Sequence, residues 1–298
     1  MSEPVFVVEV GPRDGLQNTK TLFKFEQKKK LIQSLLEAGF EDVEAGSFVR
    51  PDQVPALADT GDIASHFEKA NNNLWYLAPN LVGLKKALEK KITQIAIFTA
   101  ASPTFNEKNI GMSLEKNFSV IQDMITYLKD EGFNFVPSWT QKPQTPKAIK
   151  LRLYISTVIA CPYDGALEPQ RVFDLSEKYR PMGFSQVSLG DTTGVGTPQS
   201  WENLLKLFSQ ERIQNLEVAM HCHDTHNRAL DCIRQGLDQG IRTFDSSIGG
   251  LGGCPFAPGA PGNLATEKLI PFLENQGFTP PVTSASLKKI ELKDILPF

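Results

Sequence analysis

Two histidines, His221 and His223, stand one residue apart at the end of the apolar stretch 216–224. Side chains alternate across a β-strand, so both imidazoles project from one face while Met220 and Cys222 project from the other. Two neutral imidazoles on one face of a strand end can bind one metal ion. The alternative is that they are hydrogen-bonded core residues, and the rest of the chain has to decide between these interpretations.

The composition favours an intracellular protein that acts on a small molecule. The formal net charge of −3 over 298 residues argues against a surface for nucleic acid or anionic membranes. The four cysteines have neither disulfide-framework nor zinc-ribbon spacing, so we expect reduced thiols. No apolar run is long enough for a membrane span, and the first strand pattern begins close to Met1. These features predict a cytoplasmic location.

Strand-like and helix-like patterns alternate along the whole chain. The strand patterns cover residues 5–10, 40–48, 74–78, 94–99, 151–159, 186–189, 216–223 and 243–248, and a helical pattern follows each one. Such alternation requires a parallel sheet covered by helices, and eight units closing on themselves form a (β/α)₈ TIM barrel. An open, doubly wound sheet is the alternative, but no glycine-rich dinucleotide motif follows the first strand. We therefore predict one α/β domain over residues 1–298.

Two segments fall outside the eight units. Residues 134–150 form an insertion between the fourth helix and the fifth strand, at the barrel end opposite the usual active site. We expect it to be a surface loop or an oligomer contact. Residues 284–298 contain a short amphipathic pattern, which predicts a helical cap at the C-terminus.

Barrel closure brings the first, seventh and eighth strands side by side. Asp14 follows the first strand, His221 and His223 end the seventh, and Asn263 ends the loop after the eighth. All four lie at carboxyl ends of strands, where barrel enzymes keep their active sites. Two nitrogens and two oxygens around one point favour Mg²⁺ or Mn²⁺ over a structural zinc ion.

The loop 249–263 contains six glycines and three prolines in fifteen residues. Glycines allow close approach to a ligand or hinge motion, and prolines restrict the available conformations, so this pattern is typical of a lid or shaped binding loop. Within it, Cys254 is either an inert small residue or a thiol that donates a proton to a carbanion above the metal site.

Further polar residues stand at predicted strand ends, namely Glu44, Ser47 and Asp191. A carboxylate inside a barrel needs a cation or several donors, so Glu9 and Glu44 are candidates to orient Arg13. Pairing with arginine purely for stability is the alternative.

Five motifs together resemble the 3-hydroxy-3-methylglutaryl-CoA lyase family, within the metal-dependent lyase and Claisen-synthase barrels. They occupy residues 10–18 (which include Gln17), 44–49, 189–192, 221–225 and 249–267. Each motif is short, but the combination is specific and the similarity runs from about Phe6 to about Gly277.

The resemblance implies retro-Claisen cleavage of an acyl-CoA, 3-hydroxy-3-methylglutaryl-CoA, to acetyl-CoA and acetoacetate, usually in leucine degradation. The cation would bind the substrate hydroxyl and carboxylate. His221 or Asp14 would remove the hydroxyl proton, Arg13 would stabilise the thioester enolate, and Cys254 would deliver a proton. The supporting residues would be Glu44, Ser47, Asp191, Glu267 and Gln17. We further expect a homo-oligomer.

The alternative enzyme is a Claisen condensing synthase of the citramalate or isopropylmalate type, using acetyl-CoA and a 2-oxo acid. Such synthases favour Arg-Asp-Gly-Glu-Gln after the first strand and carry an added regulatory domain. This chain has leucine at Leu16, where the glutamate would stand. A catalytically silent binding protein on the same barrel is a further alternative.

Overall fold

Eight parallel strands pair in sequence order, and the eighth pairs with the first to close a barrel. The computed structural model describes residues 3–17, 19, 21–68, 73–208, 216–252 and 262–296. The barrel strands are β1 (Phe6–Glu9), β2 (Asp42–Ser47), β3 (Asn73–Leu77), β4 (Gln94–Ala100), β5 (Ala148–Ser156), β6 (Gln186–Asp191), β7 (Glu217–Cys222) and β8 (Thr243–Ser246). The predicted (β/α)₈ TIM barrel is confirmed.

The helices follow the strands in the predicted alternation. They are α1 (Phe25–Ala38), α2 (Thr60–His66), α3 (Leu81–Glu89), α4 (Pro103–Ile110), α5 (Leu114–Asp130), α6 (Pro169–Tyr179), α7 (Pro198–Leu205), α8 (Ala229–Asp238), α9 (Thr266–Asn275), α10 (Ser284–Leu287) and α11 (Leu292–Ile295). None of the described helices combines the length and apolarity needed to cross a bilayer.

Helix α4 is absent from the sequence prediction because its sequence is mostly polar. Only Phe105 and Asn106 of this helix are buried, so it carries no clear apolar stripe. Its start is nevertheless well defined, because the Ser102 hydroxyl accepts the Phe105 N–H at 2.9 Å and Pro103 occupies the first turn. The helix lies directly after β4, at the barrel end that carries the candidate site.

The buried apolar residues form one large cluster outside the strands and three smaller clusters. Outward-facing residues such as Val7, Leu153 and Met220 belong to the large cluster between strands and helices. A second, smaller cluster inside the barrel contains Val8, Val10, Trp75 and Trp139. The alternation predicted for β7 is correct, because Met220 and Cys222 are buried in the outer cluster while the histidines face inward.

The insertion 134–150 is not simply the surface loop that its proline content suggests. Its last three residues, 148–150, belong to β5, and residues Asn134–Phe135 pair with the start of that strand. The Trp139 side chain is 2% exposed and stacks on Trp75 with ring centroids 4.9 Å apart. The surface interpretation is wrong for Trp139, because its large aromatic ring fills the interior at the amino-terminal end of the strands.

The C-terminal segment forms the two short helices α10 and α11. Ile295 and Leu296 are buried, and the carbonyl oxygen of Ile295 accepts the side-chain amide of Gln27 in α1 at 3.4 Å. Leu292 packs closely on Gly249: a Cβ at position 249 would lie only 2.5 Å from Cδ2 of Leu292. The segment therefore packs against α1 and the loop after β8.

Candidate active site

The loop after β1 forms one wide helical turn at the barrel mouth. The Val10 carbonyl oxygen accepts the backbone N–H groups of Arg13, Asp14 and Gly15 at 2.8–3.2 Å. Gly15 approaches the loop after β8 so closely that a Cβ would lie 2.7 Å from the Leu251 Cβ. A glycine is therefore required here, and the turn holds Arg13 and Asp14 over the barrel interior.

A bulge in β2 places the next two polar residues. The pairing of β2 with β3 shifts between Glu44 and Gly46, and Gly46 packs so tightly that a Cβ would lie 2.7 Å from the Thr60 hydroxyl oxygen. That hydroxyl oxygen accepts the Ser47 N–H at 3.1 Å. Glu44 consequently points into the barrel beneath Arg13, and Ser47 reaches the cavity wall.

Arg13 is clamped between two carboxylates. Its Nε and Nη2 lie 2.7 Å and 2.6 Å from Oε2 of Glu44, and its Nη1 lies 2.7 Å from Oδ1 of Asp14. The Tyr154 ring lies 5.5 Å from the guanidinium carbon. Among the described residues these contacts use three of the five guanidinium N–H groups and leave two for a ligand.

Asp14, His221 and His223 converge within one small volume. Each offers a ligand atom, and these atoms all lie within 4.8 Å of one another. Asn263 joins them, because it pairs with His223 through a β-bridge and its Nδ2 donates to Oδ2 of Asp14 at 2.7 Å. The structure thus brings together all four side chains that the sequence analysis selected as ligands.

The protonation states suit cation binding. Burial alone would raise the pKa of Asp14, but Arg13 and His221 outweigh it and hold the pKa at about 2. Burial, followed by the neighbouring His221, lowers the pKa of His223 to about 3. Burial works against a charge on His221 as well, yet the Asp245 carboxylate prevails and raises its pKa. A carboxylate therefore stands beside one imidazole that stays neutral at physiological pH.

Two buried atoms at this point lack a hydrogen-bond partner among the described residues. They are Nδ1 of His223 and Oδ1 of Asn263. Buried polar atoms are rarely left without a partner, so each calls for a ligand. With the Asp14 carboxylate and the second imidazole, they form a mixed nitrogen and oxygen donor set that fits a divalent cation such as Mg²⁺ or Mn²⁺.

Arg13, Asp14, His221 and His223 line a cavity of about 580 Å³ in the barrel mouth, and Asn263 reaches this group through its contact with Asp14. Gln17 and Ser47 line it, as do Tyr154 on its floor and Thr192 from the loop after β6. Residues that follow β2 and residues of α4 and its following turn form the far wall, namely Arg50, Gln53, Val54, Phe105, Asn109, Ile110 and Met112.

Two predicted carboxylates, Asp191 and Glu267, lie outside the cavity wall. Asp191 accepts the N–H groups of Gly194 and Gly196 at 3.1 Å and 2.8 Å and so shapes the loop after β6. Glu267 accepts the Gly249 N–H at 2.9 Å and holds the loop after β8. Both contacts support loops rather than a ligand directly.

Glu9 does not orient Arg13, contrary to expectation. Its Oε1 accepts the N–H groups of Gly11 and Ile248 at 2.8 Å and 2.9 Å, and its Oε2 accepts the Thr266 hydroxyl at 2.6 Å. Because β1 adjoins β8, backbone N–H groups of the neighbouring loops, and not a cationic side chain, are the partners of this carboxylate. Of the two candidates, only Glu44 contacts Arg13. The predicted proton donor Cys254 lies outside the described residues.

Three interior residues escaped the sequence analysis. Arg152 donates to the Tyr154 hydroxyl at 2.7 Å and forms a buried ion pair with Asp245, and the Tyr154 hydroxyl donates to Glu44 at 3.2 Å. The signal was present in β5, where the alternate residues Lys150, Arg152 and Tyr154 form a polar inward face. A strand with one polar face inside a barrel indicates a polar interior network.

The family model described as HMGL-like matches residues 5–295. A mitochondrial hydroxymethylglutaryl-CoA lyase from Macaca fascicularis is 39% identical over 291 residues, covering 97% of this chain and 83% of that protein. The crystal structure of hydroxymethylglutaryl-CoA lyase from Pseudomonas aeruginosa superposes with a TM-score of 0.87 at 35% identity, over 99% of this chain and 92% of that one. An HMG-CoA lyase from Acinetobacter baumannii, solved with coenzyme A and 3-methylmalate, gives a TM-score of 0.85 at 31% identity, over 99% and 90%.

Proposed function

Because the chain belongs to the HMGL-like family, we propose that it is a carbon–carbon lyase that cleaves 3-hydroxy-3-methylglutaryl-CoA to acetyl-CoA and acetoacetate. The observation that carries the proposal is the clamped Arg13 guanidinium beside the Asp14, His221 and His223 cluster on a cavity floor. This arrangement offers a cation site next to a fixed positive charge. Cleavage of the substrate develops negative charge on the thioester oxygen. A fixed positive charge beside that oxygen would stabilise it.

Asp14, His221, His223 and Asn263 would hold one divalent cation, Mg²⁺ or Mn²⁺. When bound, the cation would acidify the tertiary hydroxyl of the substrate and fix its free carboxylate. The site provides two nitrogen and two oxygen donors and leaves the side towards the cavity for substrate oxygens.

The chain's own groups would carry the charge and the protons. Arg13, held by Glu44 and Asp14, would donate its remaining N–H groups to the thioester oxygen and stabilise the enolate left by bond cleavage. His221 or Asp14 accepts the proton of the tertiary hydroxyl. Cys254 delivers a proton to the carbanion of the leaving acetyl-CoA. The tertiary hydroxyl loses one proton as the ketone of acetoacetate forms, and the enolate carbon gains one proton to give acetyl-CoA, so the number of protons is conserved.

The remaining predicted site residues would support this arrangement. Glu44 keeps the guanidinium oriented, and Gln17 and Ser47 shape the cavity wall. Asp191 and Glu267 hold the loops after β6 and β8. We further propose a small acyl-CoA substrate without nucleic-acid or membrane partners, a cytoplasmic location, a homo-oligomeric state and a role in leucine degradation.

Two assays test the activity against the condensing alternative. The purified protein is treated with a chelator, and 3-hydroxy-3-methylglutaryl-CoA is then supplied with and without Mg²⁺ or Mn²⁺ while acetoacetate is measured. In parallel, acetyl-CoA is supplied with 2-oxo acids while free CoA is measured. We expect cation-dependent acetoacetate in the first assay and no CoA release in the second. CoA release without acetoacetate would assign the synthase reaction instead.

A further inference from the structure

Asp245 lies at the centre of the barrel, directly beneath the candidate metal centre. The carboxylate is fully buried and receives three donors from three different strands. Arg152 in β5 binds Oδ1, whereas Oδ2 accepts the Ser188 hydroxyl from β6 at 2.9 Å and faces Nδ1 of His221 in β7 at 3.2 Å. Asp245 itself does not line the cavity, whereas His221 does, so Asp245 can act on a ligand there only through the residues that it touches.

The contact with His221 determines which ring nitrogen carries the proton. An ionised carboxylate only accepts hydrogen bonds, so Nδ1 of His221 must be the protonated nitrogen. Its Nε2 then keeps a lone pair. The Tyr154 ring packs edge-on against the same imidazole at 6.2 Å, which limits rotation of the ring. Nδ1 of His223, by contrast, has no partner among the described residues.

We propose that Asp245 is a positioning residue that fixes His221 in its Nδ1–H form and thereby keeps Nε2 available for the cation, which leaves Asp14 rather than His221 to accept the hydroxyl proton. This inference rests on the proposed function, because it requires His221 to be a metal ligand. Carboxylates that bind the far nitrogen of a ligand histidine orient the ring and raise its basicity.

Arg152 determines which side-chain atom of residue 245 faces His221. The guanidinium requires an acceptor, so it fixes which oxygen of Asp245 faces it. In Asp245→Asn the amide oxygen must therefore stay at Arg152, and the amide nitrogen takes the position that faces His221. The Ser188 hydroxyl can turn to accept, but Nδ1 of His221 must then accept as well. The proton moves to Nε2, where it blocks the metal site.

Asp42→Asn is the matched control. Asp42 is also a buried carboxylate inside the barrel, at the start of β2, and it accepts the Trp75 indole N–H at 2.8 Å. The substitution removes the same charge from the same interior while leaving the hydrogen bond possible. Comparison of the two variants separates the tautomer effect from general loss of buried negative charge.

The first measurement is Mn²⁺ binding, followed through the electron paramagnetic resonance signal of the free ion. We expect Asp245→Asn to raise the Mn²⁺ dissociation constant at least about 10-fold, and Asp42→Asn to leave it unchanged. Equal affinities for wild type and Asp245→Asn, or equal losses in both variants, would overturn the inference. If the wild type itself binds no Mn²⁺, the proposed metal site fails and the inference falls with it.

The second measurement reads the tautomer directly in the metal-free protein. Histidine ¹⁵N spectra at a pH where the rings are neutral distinguish Nδ1–H from Nε2–H, and the chain has only four histidines to assign. We expect His221 to be Nδ1–H in the wild type and Nε2–H in Asp245→Asn. A wild-type His221 that carries its proton on Nε2 would refute the inference, even if the variant does not fold.

Discussion

The conformation of Arg13 is set by its own neighbours before any substrate arrives. Glu44 binds its Nε and Nη2, and Asp14 binds its Nη1, so the guanidinium plane cannot rotate freely. Such a preorganised charge stabilises a developing oxyanion without reorganisation during the reaction. The same contact couples the arginine to Asp14, a proposed metal ligand, so the proposed catalytic role of Arg13 has to be separated from a role in the metal site.

Arg13→Ala should abolish most turnover and leave metal binding intact. Loss of one positioned oxyanion donor costs about 100-fold to 1,000-fold in kcat, and removal of the guanidinium frees an oxygen of Asp14 rather than blocking it. Acetoacetate formation and Mn²⁺ stoichiometry are measured on the same preparation. Arg180→Ala, which changes an exposed arginine paired with Glu177, is the control. Loss of bound Mn²⁺ in Arg13→Ala would make the arginine a structural part of the metal site.

Among the elements, the segment 134–150 contributes more than its sequence suggests. Trp139 stacks nearly parallel on Trp75 inside the barrel, and the Lys150 ammonium lies 4.4 Å from the Trp139 ring centroid. The same ammonium donates to the Trp139 carbonyl oxygen. The segment thus supplies an interior side chain at the end of the barrel opposite the cavity, and it covers a buried cation with an aromatic face.

Trp139→Ala should therefore destabilise the fold without changing the chemistry. Removal of a buried tryptophan costs about 3–5 kcal/mol, and the residue lies at the amino-terminal end of the strands, away from the cavity. Urea denaturation gives the free energy of unfolding, and kcat is measured well below the melting transition. Lys142→Ala, which changes an exposed residue of the same segment, should show neither effect. An unchanged unfolding midpoint in Trp139→Ala would mean that the stacked ring adds nothing to stability.

At the scale of the whole molecule, Glu9 joins the elements where the barrel closes. It links the end of β1 to the loop after β8 at Ile248 and to the start of α9 at Thr266. Burial raises its pKa to about 8, although these hydrogen bonds lower it. The carboxyl group at the barrel closure thus keeps its proton to a higher pH in the folded protein than in the unfolded chain.

The pH dependence of stability follows from this shift. In the unfolded chain the group titrates near its ordinary pKa of 4.5, and in the folded protein near 8, so unfolding releases a proton between these values. The contribution of Glu9 to the free energy of unfolding should fall by about 1.4 kcal/mol per pH unit across this interval. Glu9→Gln keeps an acceptor for the backbone donors and removes the titration.

Denaturation of both proteins at pH 5, 7 and 9 tests the prediction. We expect Glu9→Gln to gain stability relative to the wild type as the pH rises. A difference that stays constant from pH 5 to pH 9 would show that Glu9 titrates alike in the folded and unfolded states.

The sequence alone determined the barrel and the composition of its mouth. Alternation with periods of two and 3.6 specifies which residues face inward, and closure of eight units makes the first, seventh and eighth strands neighbours. Asp14, His221, His223 and Asn263 could be grouped on that basis, because strand ends of a closed barrel share one rim. The partners across the interior were decided only by the tertiary structure. The contacts of Asp245 with Arg152 and His221, of Glu9 with backbone donors, and of Trp139 with Trp75 depend on the tilt and stagger of the strands, which shift cross-barrel neighbours without altering the sequence pattern.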